Sequence, residues 1–462
     1  MPDPAGPPGL LARLGLGRPE LRAWALYDCA NSAAVTSVLT AILPIYFSTV
    51  AAAGLAPAEA TQRFALATTA GLVLVALLAP MLGALADLRP VKKRLLAAFA
   101  ALGASGCAAL FLVERGDTLV AAGLLVVVNV GLNGSFVFYD ALLPHVARPD
   151  ELDRTSAAAY ALGYLGGGLL LAAQLAVILK PDLLGLPAGP DATPSARTLP
   201  TRLAFLSVAI WWAAFTVPLL LRVREPAVAA HPPGAPAGLP AALARLGRTF
   251  RTLARHPQAL LMLGAFLVYN DGIGTIIRMA AIYGTEIGLA RGALIGAILM
   301  VQLVGVPFAF LFGALAARLG AKRAVLGGLA VYVVIAVLAY FTTSATHFFV
   351  LAFLVGTVQG GTQALSRSLF ATLVPRHLSG EFFAFFAISE KFAGIFGPAL
   401  FAAAVALTGS SRIAILSVIA FFVAGASLLA RVDVVAGQRD ARATEAAAGL
   451  ASVQAPARAQ GG

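Results

Sequence analysis

The sequence predicts an all-α polytopic membrane protein of about twelve transmembrane helices, arranged as two six-helix pseudo-symmetric bundles. Three observations predict it: an apolar, charge-poor composition, apolar blocks of bilayer-spanning length, and a weak repeat of the first half in the second. Of 462 residues, 60% are hydrophobic and 12% charged, with a mean hydropathy of +0.87. A soluble domain is about half apolar and a quarter charged. In water this composition would leave large apolar patches exposed, so lipid is the solvent that fits.

A helix needs about 20 apolar residues to cross a hydrocarbon core of about 30 Å. Blocks of that length fall at 24–47, 64–86, 95–113, 118–141, 156–179, 203–221, 259–282, 292–316, 323–342, 346–371, 382–408 and 411–430. Strands alternating apolar-out and polar-in are absent, which argues against a β-barrel. No cleavable signal peptide is expected, because residues 1–22 contain Pro and Arg and Trp24 opens a full-length span. Both cysteines, Cys29 and Cys107, fall inside spans and imply no disulfide framework.

Lys and Arg set orientation. With the N-terminus in the cytoplasm, 23 of the 33 lie in cytoplasmic segments and 7 in outer ones; Arg278, Arg367 and Lys391 lie inside spans. The split predicts both termini inside, in a multi-pass protein of a bacterial inner membrane. The net charge of +12 is then a topology signal and not the footprint of a nucleic acid.

The repeat has an offset near 230. Gly83-Ala84-Leu85-Ala86-Asp87 precedes Lys92-Lys93-Arg94, and Gly313-Ala314-Leu315-Ala316-Ala317 precedes Lys322-Arg323. Leu143-Pro144-His145 corresponds to Val374-Pro375-Arg376, and Gly163 and Gly166 to Gly394 and Gly397. Six spans per half give parallel repeats, which place a solute site at their interface near the midplane. The chain thus divides into a cytoplasmic segment 1–23, a bundle 24–221, a linker 222–257, a bundle 258–430 and a tail 431–462 that is expected to be disordered. Within the linker, 241–255 reads as a basic amphipathic helix lying on anionic lipid.

Charges deep in a span cost roughly 2.5–3.5 kcal/mol each and tend to face a bundle interior or wet cavity. They concentrate in the first and fourth span of each half. Span 1 carries Asp28 and Asn31, span 4 Asn129, Asn133 and Asp140, span 7 Asn270, Asp271 and Arg278, and span 10 Gln359, Gln363 and Arg367. Span 11 adds Glu390 and Lys391. Spacings of three, four or seven hold partners on one helix face. The expected solute and proton pathway is Asp28, Asn31, Asn133, Asn270, Asp271, Arg278, Gln363 and Arg367. Asp28 or Asp271 would carry a proton, and Arg278 or Arg367 would pair with an anionic group of the solute. Asp140, Glu390 and Lys391, near the cytoplasmic ends, are expected at a cytoplasmic gate.

The loop from Gly83 to Arg94 resembles the signature between spans 2 and 3 of the major facilitator superfamily. The resemblance implies that Gly83, Asp87 and Arg94 help lock the cytoplasmic side; Ala317 replaces the acid in the second copy. Trp24-Ala25-Leu26-Tyr27-Asp28 with Asn31, Tyr269-Asn270-Asp271-Gly272, Gln363-Ala364-Leu365-Ser366-Arg367 and Glu381-Phe382-Phe383 resemble the vacuole-effluxer-like branch, along most of 22–430. That resemblance implies a secondary transporter, a proton-linked exporter of amino acids or similar metabolites. An importer of sugars, a lipid flippase and a non-transporting sensor are the alternatives. The expected partners are a small-molecule substrate, protons or another coupling ion, and membrane lipid, with no cofactor or metal and a monomeric state. No H-E-x-x-H or G-x-x-x-x-G-K-[ST] pattern occurs, so no enzyme or ATP-driven activity is expected.

Overall fold

A computed structural model describes residues 9–186, 193–226, 251–286, 289, 291–392, 396–408 and 411–448. The described residues are mostly helical, with no strand among them. The first half holds α1 (Pro19–Ala51), α2 (Pro57–Leu88), α3 (Lys92–Ala109), α4 (Thr118–Val146), α5 (Leu152–Leu179) and α6 (Pro194–Arg222). The second holds α7 (Pro257–Glu286), α8 (Arg291–Leu319), α9 (Ala321–Tyr340), α10 (Ala345–Leu373), α11 (Ser379–Phe392), α12 (Phe396–Thr408), α13 (Ser411–Ser417) and α14 (Ile419–Ala430). A last helix, α15, covers Val434–Ala447.

Eleven segments among the described residues are long and apolar enough to cross a bilayer. The remaining span, expected at 382–408, is α11 followed by α12, with 393–395 outside the described residues. Leucines such as Leu221 and Leu407 are 78% and 87% exposed, an outer surface suited only to lipid. The protein is thus a multi-pass integral membrane protein.

Burial ranks the spans as their polar residues do. The most apolar windows of α1, α4, α7 and α10 are 56%, 61%, 61% and 56% buried, against 22–44% for the other spans. These four are the most buried spans. The halves meet along α5 with α8 and α10, and along α11 with α2 and α4.

Several local features differ from the sequence reading for physical reasons. Helix α6 starts at Pro194, inside the expected outer loop, because Thr193 accepts from the Ala196 N–H (3.2 Å) and Pro sits at the first helical position. Arg202 is anchored there by Glu114 (3.0 Å). In α1, Pro44 supplies no N–H, and the backbone widens to i→i+5 bonding over Ala34–Ile42 and Phe47–Ala51. The tail expected to be disordered is ordered over α15. Asp433 caps it (3.0 Å to the Ala436 N–H), Gly437 and Ala441 are buried, and Glu445 accepts from the Arg376 N–H (2.7 Å). Residues 449–462 lie outside the described residues, as do 241–250 of the expected basic helix.

The N-terminal segment is also fixed. Thr155 donates to the Gly15 carbonyl (3.2 Å), and Arg18 pairs with Glu151 at 2.5 Å. Burial pushes the Glu151 carboxyl up, but hydrogen bonds from Arg18 and the Arg148 N–H outweigh it and hold the group below its ordinary range. This contact is present at neutral pH and is lost as pH falls through that lowered range.

Inside the first bundle, glycines set helix spacing. A Cβ on Gly131 of α4 would meet the Gly103 backbone of α3 and lie 2.8 Å from the Phe99 carbonyl oxygen. Backbone faces backbone, so no side chain can yield. Gly131→Ala is expected to destabilise the bundle by roughly 1–3 kcal/mol, seen as a lower Tm of the detergent-solubilised protein. An unchanged Tm would mean that α3 and α4 have slack the packing does not show.

A closed end and a buried charge group between the halves

The polar contacts between the two halves gather, among the described residues, at one end of the bundle, the termini side that carries the N-terminal segment from residue 9 and α15. Asp87, last acid of α2, pairs with Lys92 at 2.6 Å, both side chains buried. The same carboxylate accepts from the Gly380 N–H (2.9 Å) and the Glu381 N–H (2.8 Å) at the start of α11. A helix N-terminus presents unsatisfied N–H groups and a positive dipole end, so an acid there ties the bundles together. Gly83 permits the approach: a Cβ on it would lie 2.5 Å from the Gly380 carbonyl oxygen. His145 and Ser379 share a hydrogen bond (3.0 Å), and Ser368 donates to Asp153 (2.6 Å).

One layer deeper lies Arg367 of α10, 2% exposed. Its Nη1 is 3.0 Å from Asp140 and 3.6 Å from Asp28. Its Nε donates to the Ser156 hydroxyl (2.9 Å) and its Nη2 to the Ser156 carbonyl (3.1 Å). The guanidinium carbon lies 5.0, 5.4 and 4.7 Å from the ring centres of Trp24, Tyr139 and Tyr160. Every one of these partners belongs to the first half. Ser156 in turn donates to the Ala364 carbonyl (2.7 Å). Nearer the middle, Gln302 of α8 donates to Thr36 of α1 (3.0 Å).

The two halves hold their first-span acids in related ways. Asp28 accepts from Ser32, four residues on (3.2 Å), and from Tyr139 (3.4 Å). A Cβ on Gly163 would lie 2.9 Å from its Oδ1. Asp271 is followed four residues on by Thr275, and a Cβ on Gly397 would lie 3.0 Å from its Oδ1. The Gly397 N–H also donates to Asp271 Oδ2 (2.8 Å). By contact with the first-span acid, Gly163 resembles Gly397; Gly394, paired with Gly163 by the sequence offset, lies outside the described residues.

The expected site residues therefore divide. Asp28, Asp140 and Arg367 converge. Asp140, expected at the gate, sits in this deeper group, and Arg367 faces two carboxylates and not a free anion site. Asn31 lies beside it, 3.5 Å from the Ser135 hydroxyl. Asn270 and Gln363 meet at 3.5 Å within the second half. Asn133 spends its amide on the Asn129 carbonyl of its own helix (2.8 Å). Gly83 and Asp87 lie at the contact between α2 and α11, but Arg94 is exposed, and Lys92 pairs with Asp87 in place of the expected Arg94. The Arg278, Glu390 and Lys391 side chains lie outside the described residues. Trp24 enters the sequence reading only as the first residue of the span-1 motif, and Tyr139, Ser156 and Tyr160 escape it, because neutral aromatic and hydroxyl residues raise no hydropathy alarm. The one signal available is the i, i+4 spacing of Ser156 and Tyr160, which puts them on one face of span 5. Among the described residues no group of His, Cys, Asp and Glu is placed to hold a metal ion.

A family model described as "Vacuole effluxer Atg22 like" matches residues 17–442. The chain belongs to this family. Within it, YxiO of Bacillus subtilis (strain 168), described as an uncharacterized MFS-type transporter, is 35% identical over 88% of this chain and 93% of its own length. Autophagy-related protein 22 of Coccidioides immitis (strain RS) is 26% identical over 83% of this chain and 74% of its own length. The fold is that of solved major facilitator superfamily transporters. FucP in the outward conformation superposes with a TM-score of 0.65 at 15% identity, covering 90% of this chain and 99% of that one. The human organic anion transporter MFSD10 gives 0.60 at 17% identity, covering 89% and 99%. This Atg22-like protein is accordingly a major-facilitator-type transporter of small solutes.

The gate gives a direct test. Asp87→Asn keeps the shape but loses the charge that holds Lys92 and the α11 amides. With Cys29 and Cys107 replaced by Ser, a cysteine introduced by Ala384→Cys, buried against Gly83, should react faster with an impermeant maleimide applied from the termini side once Asp87→Asn is added. Equal labelling rates would deny Asp87 a part in closure.

Proposed function

We propose that this transporter exports amino acids or similar small metabolites in exchange for protons, across a bacterial cytoplasmic membrane with both termini inside. The observation that carries the reading is the buried group in which Asp28 and Asp140 of one half share the single guanidinium of Arg367 from the other. Alternating access needs the seam between the halves to part. When Arg367 withdraws, Asp28 keeps only the hydroxyls of Ser32 and Tyr139, and a proton can replace the lost cation. Proton binding is thereby tied to which end is open. The Lys and Arg distribution supports placing the closed end in the cytoplasm, and the family description as an effluxer supports the direction. Asp271, the counterpart acid of the second half, is the second candidate on the proton path.

The reading is tested in acid-loaded proteoliposomes, with labelled amino acids added outside under the imposed pH gradient. Wild type is expected to accumulate solute against its gradient. Asp28→Asn should lose that accumulation yet still exchange labelled for unlabelled solute when no gradient is applied. Full gradient-driven accumulation by Asp28→Asn would remove Asp28 from coupling and move the test to Asp271→Asn. Accumulation of sugars but of no amino acid would replace the solute class.

A further inference from the structure

The surroundings of Arg367 describe a binding site more completely than they describe a structural ion pair. Two carboxylates, Asp28 and Asp140, three aromatic rings, Trp24, Tyr139 and Tyr160, and both oxygens of Ser156 enclose one guanidinium. A buried ion pair held only for stability gains little over an apolar contact of the same volume. Here all three guanidinium nitrogens donate, and three ring faces supply the quadrupole that attracts a weakly hydrated cation. Part of the enclosure holds itself without Arg367. Trp24 stacks on Tyr139 with ring centres 4.4 Å apart and donates to the Tyr139 carbonyl (2.9 Å). Tyr139 and Ser32 fix Asp28.

Ownership of the parts is the decisive point. The enclosure is built wholly by α1, α4 and α5, and the cation that fills it comes from α10 in the other half. Separation of the halves at this end pulls the guanidinium out and leaves two carboxylates and three rings facing the opening. An anionic solute would meet like charge there, and a neutral one would leave Asp28 without the cation that Arg367 supplies in the closed arrangement.

We propose that this enclosure is the substrate site for a small organic cation, a guanidinium or alkylammonium group, and that Arg367 is its built-in competitor, occupying it whenever this end is shut. This deepens the transport reading and rests on it. A cation that binds only after Arg367 leaves favours the open end by its difference in affinity between the two states. Substrate cation and proton then compete for the same carboxylates, which makes their exchange obligatory.

The test uses the full chain in detergent and in proteoliposomes, with L-arginine and L-lysine as probes and L-leucine as the neutral control. Arg367→Ala should bind L-arginine about tenfold tighter than wild type, because the population tax of the closed state is removed. Adding Asp140→Asn should abolish that gain. Should Arg367→Ala not fold, the otherwise native protein carrying Ala384→Cys provides the readout: L-arginine or L-lysine, but not L-leucine, should speed maleimide labelling from the termini side. A response to L-lysine equal to that of L-arginine assigns the site to any organic cation, and one confined to L-arginine assigns it to guanidinium. No binding or labelling response to either cation, or an equal response to L-leucine, overturns the proposal. Leucine flux without any arginine effect would sink the cation site and leave the carrier standing. Arginine binding with no flux of any solute would do the reverse.

Discussion

The fold hangs on one guanidinium placed where lipid-solvated chains least tolerate charge. Arg367 enters the first half with its charge met by Asp140 and Asp28 and its remaining donors met by Ser156. Removing one member of such a buried group leaves an uncompensated charge, at a cost of about 3–5 kcal/mol. The two bundles are therefore not free to slide or splay at this end. They either keep the group whole or supply another charge when it parts. In the proposed cycle, closure and solute chemistry become one constraint, because the residue that joins the halves also neutralises the acids there.

Above this layer, Asp87 performs a different task with different physics. Its partners at α11 are backbone N–H groups, which neither titrate nor reorient. Lys92 balances the charge at 2.6 Å. The outer layer is thus a fixed clasp of charge on helix terminus, while the inner layer is an exchangeable pairing of side chains. Gly83 sets the first and Gly163 the second, since each lacks the Cβ that would push the acid or the facing backbone away. Small residues at crossing points are how helices in lipid approach closely enough for polar groups to meet.

Much of this was legible in the sequence, and the misses have physical causes. Span number, the two halves and the central placement of α1, α4, α7 and α10 followed from where hydropathy fails, and burial ranks the same four helices innermost. Asp28, Asp140 and Arg367 stood out because intramembrane charges are rare. Their pairing across 227 residues between Asp140 and Arg367 could not be read, because a one-dimensional pattern gives depth and helix face but not the partner helix. Lys92 was passed over for Arg94 because consecutive basic residues look alike until the helix start fixes which one turns inward. The ordered α15 was missed because its sequence is polar on average and shows no apolar block; it is held by caps and by partners on α7 and α10, which are tertiary facts.

The first-span acids of the two halves each make a contact of a different kind, and the difference bears on the proposed exchange. Asp28 faces a cation borrowed from the other half; Asp271 faces the Gly397 amide of its own. An acid held by an amide of its own bundle travels with that bundle and keeps that partner through a rocking motion. An acid held across the seam gains or loses its partner each time the seam opens. Only the second kind of contact couples ion occupancy to which side is open, since a ligand shifts an equilibrium only by its difference in affinity for the two states. In the proposed exchange, the contact that depends on which end is open is thus the one at Asp28, where Arg367 of the second half supplies the charge to be displaced.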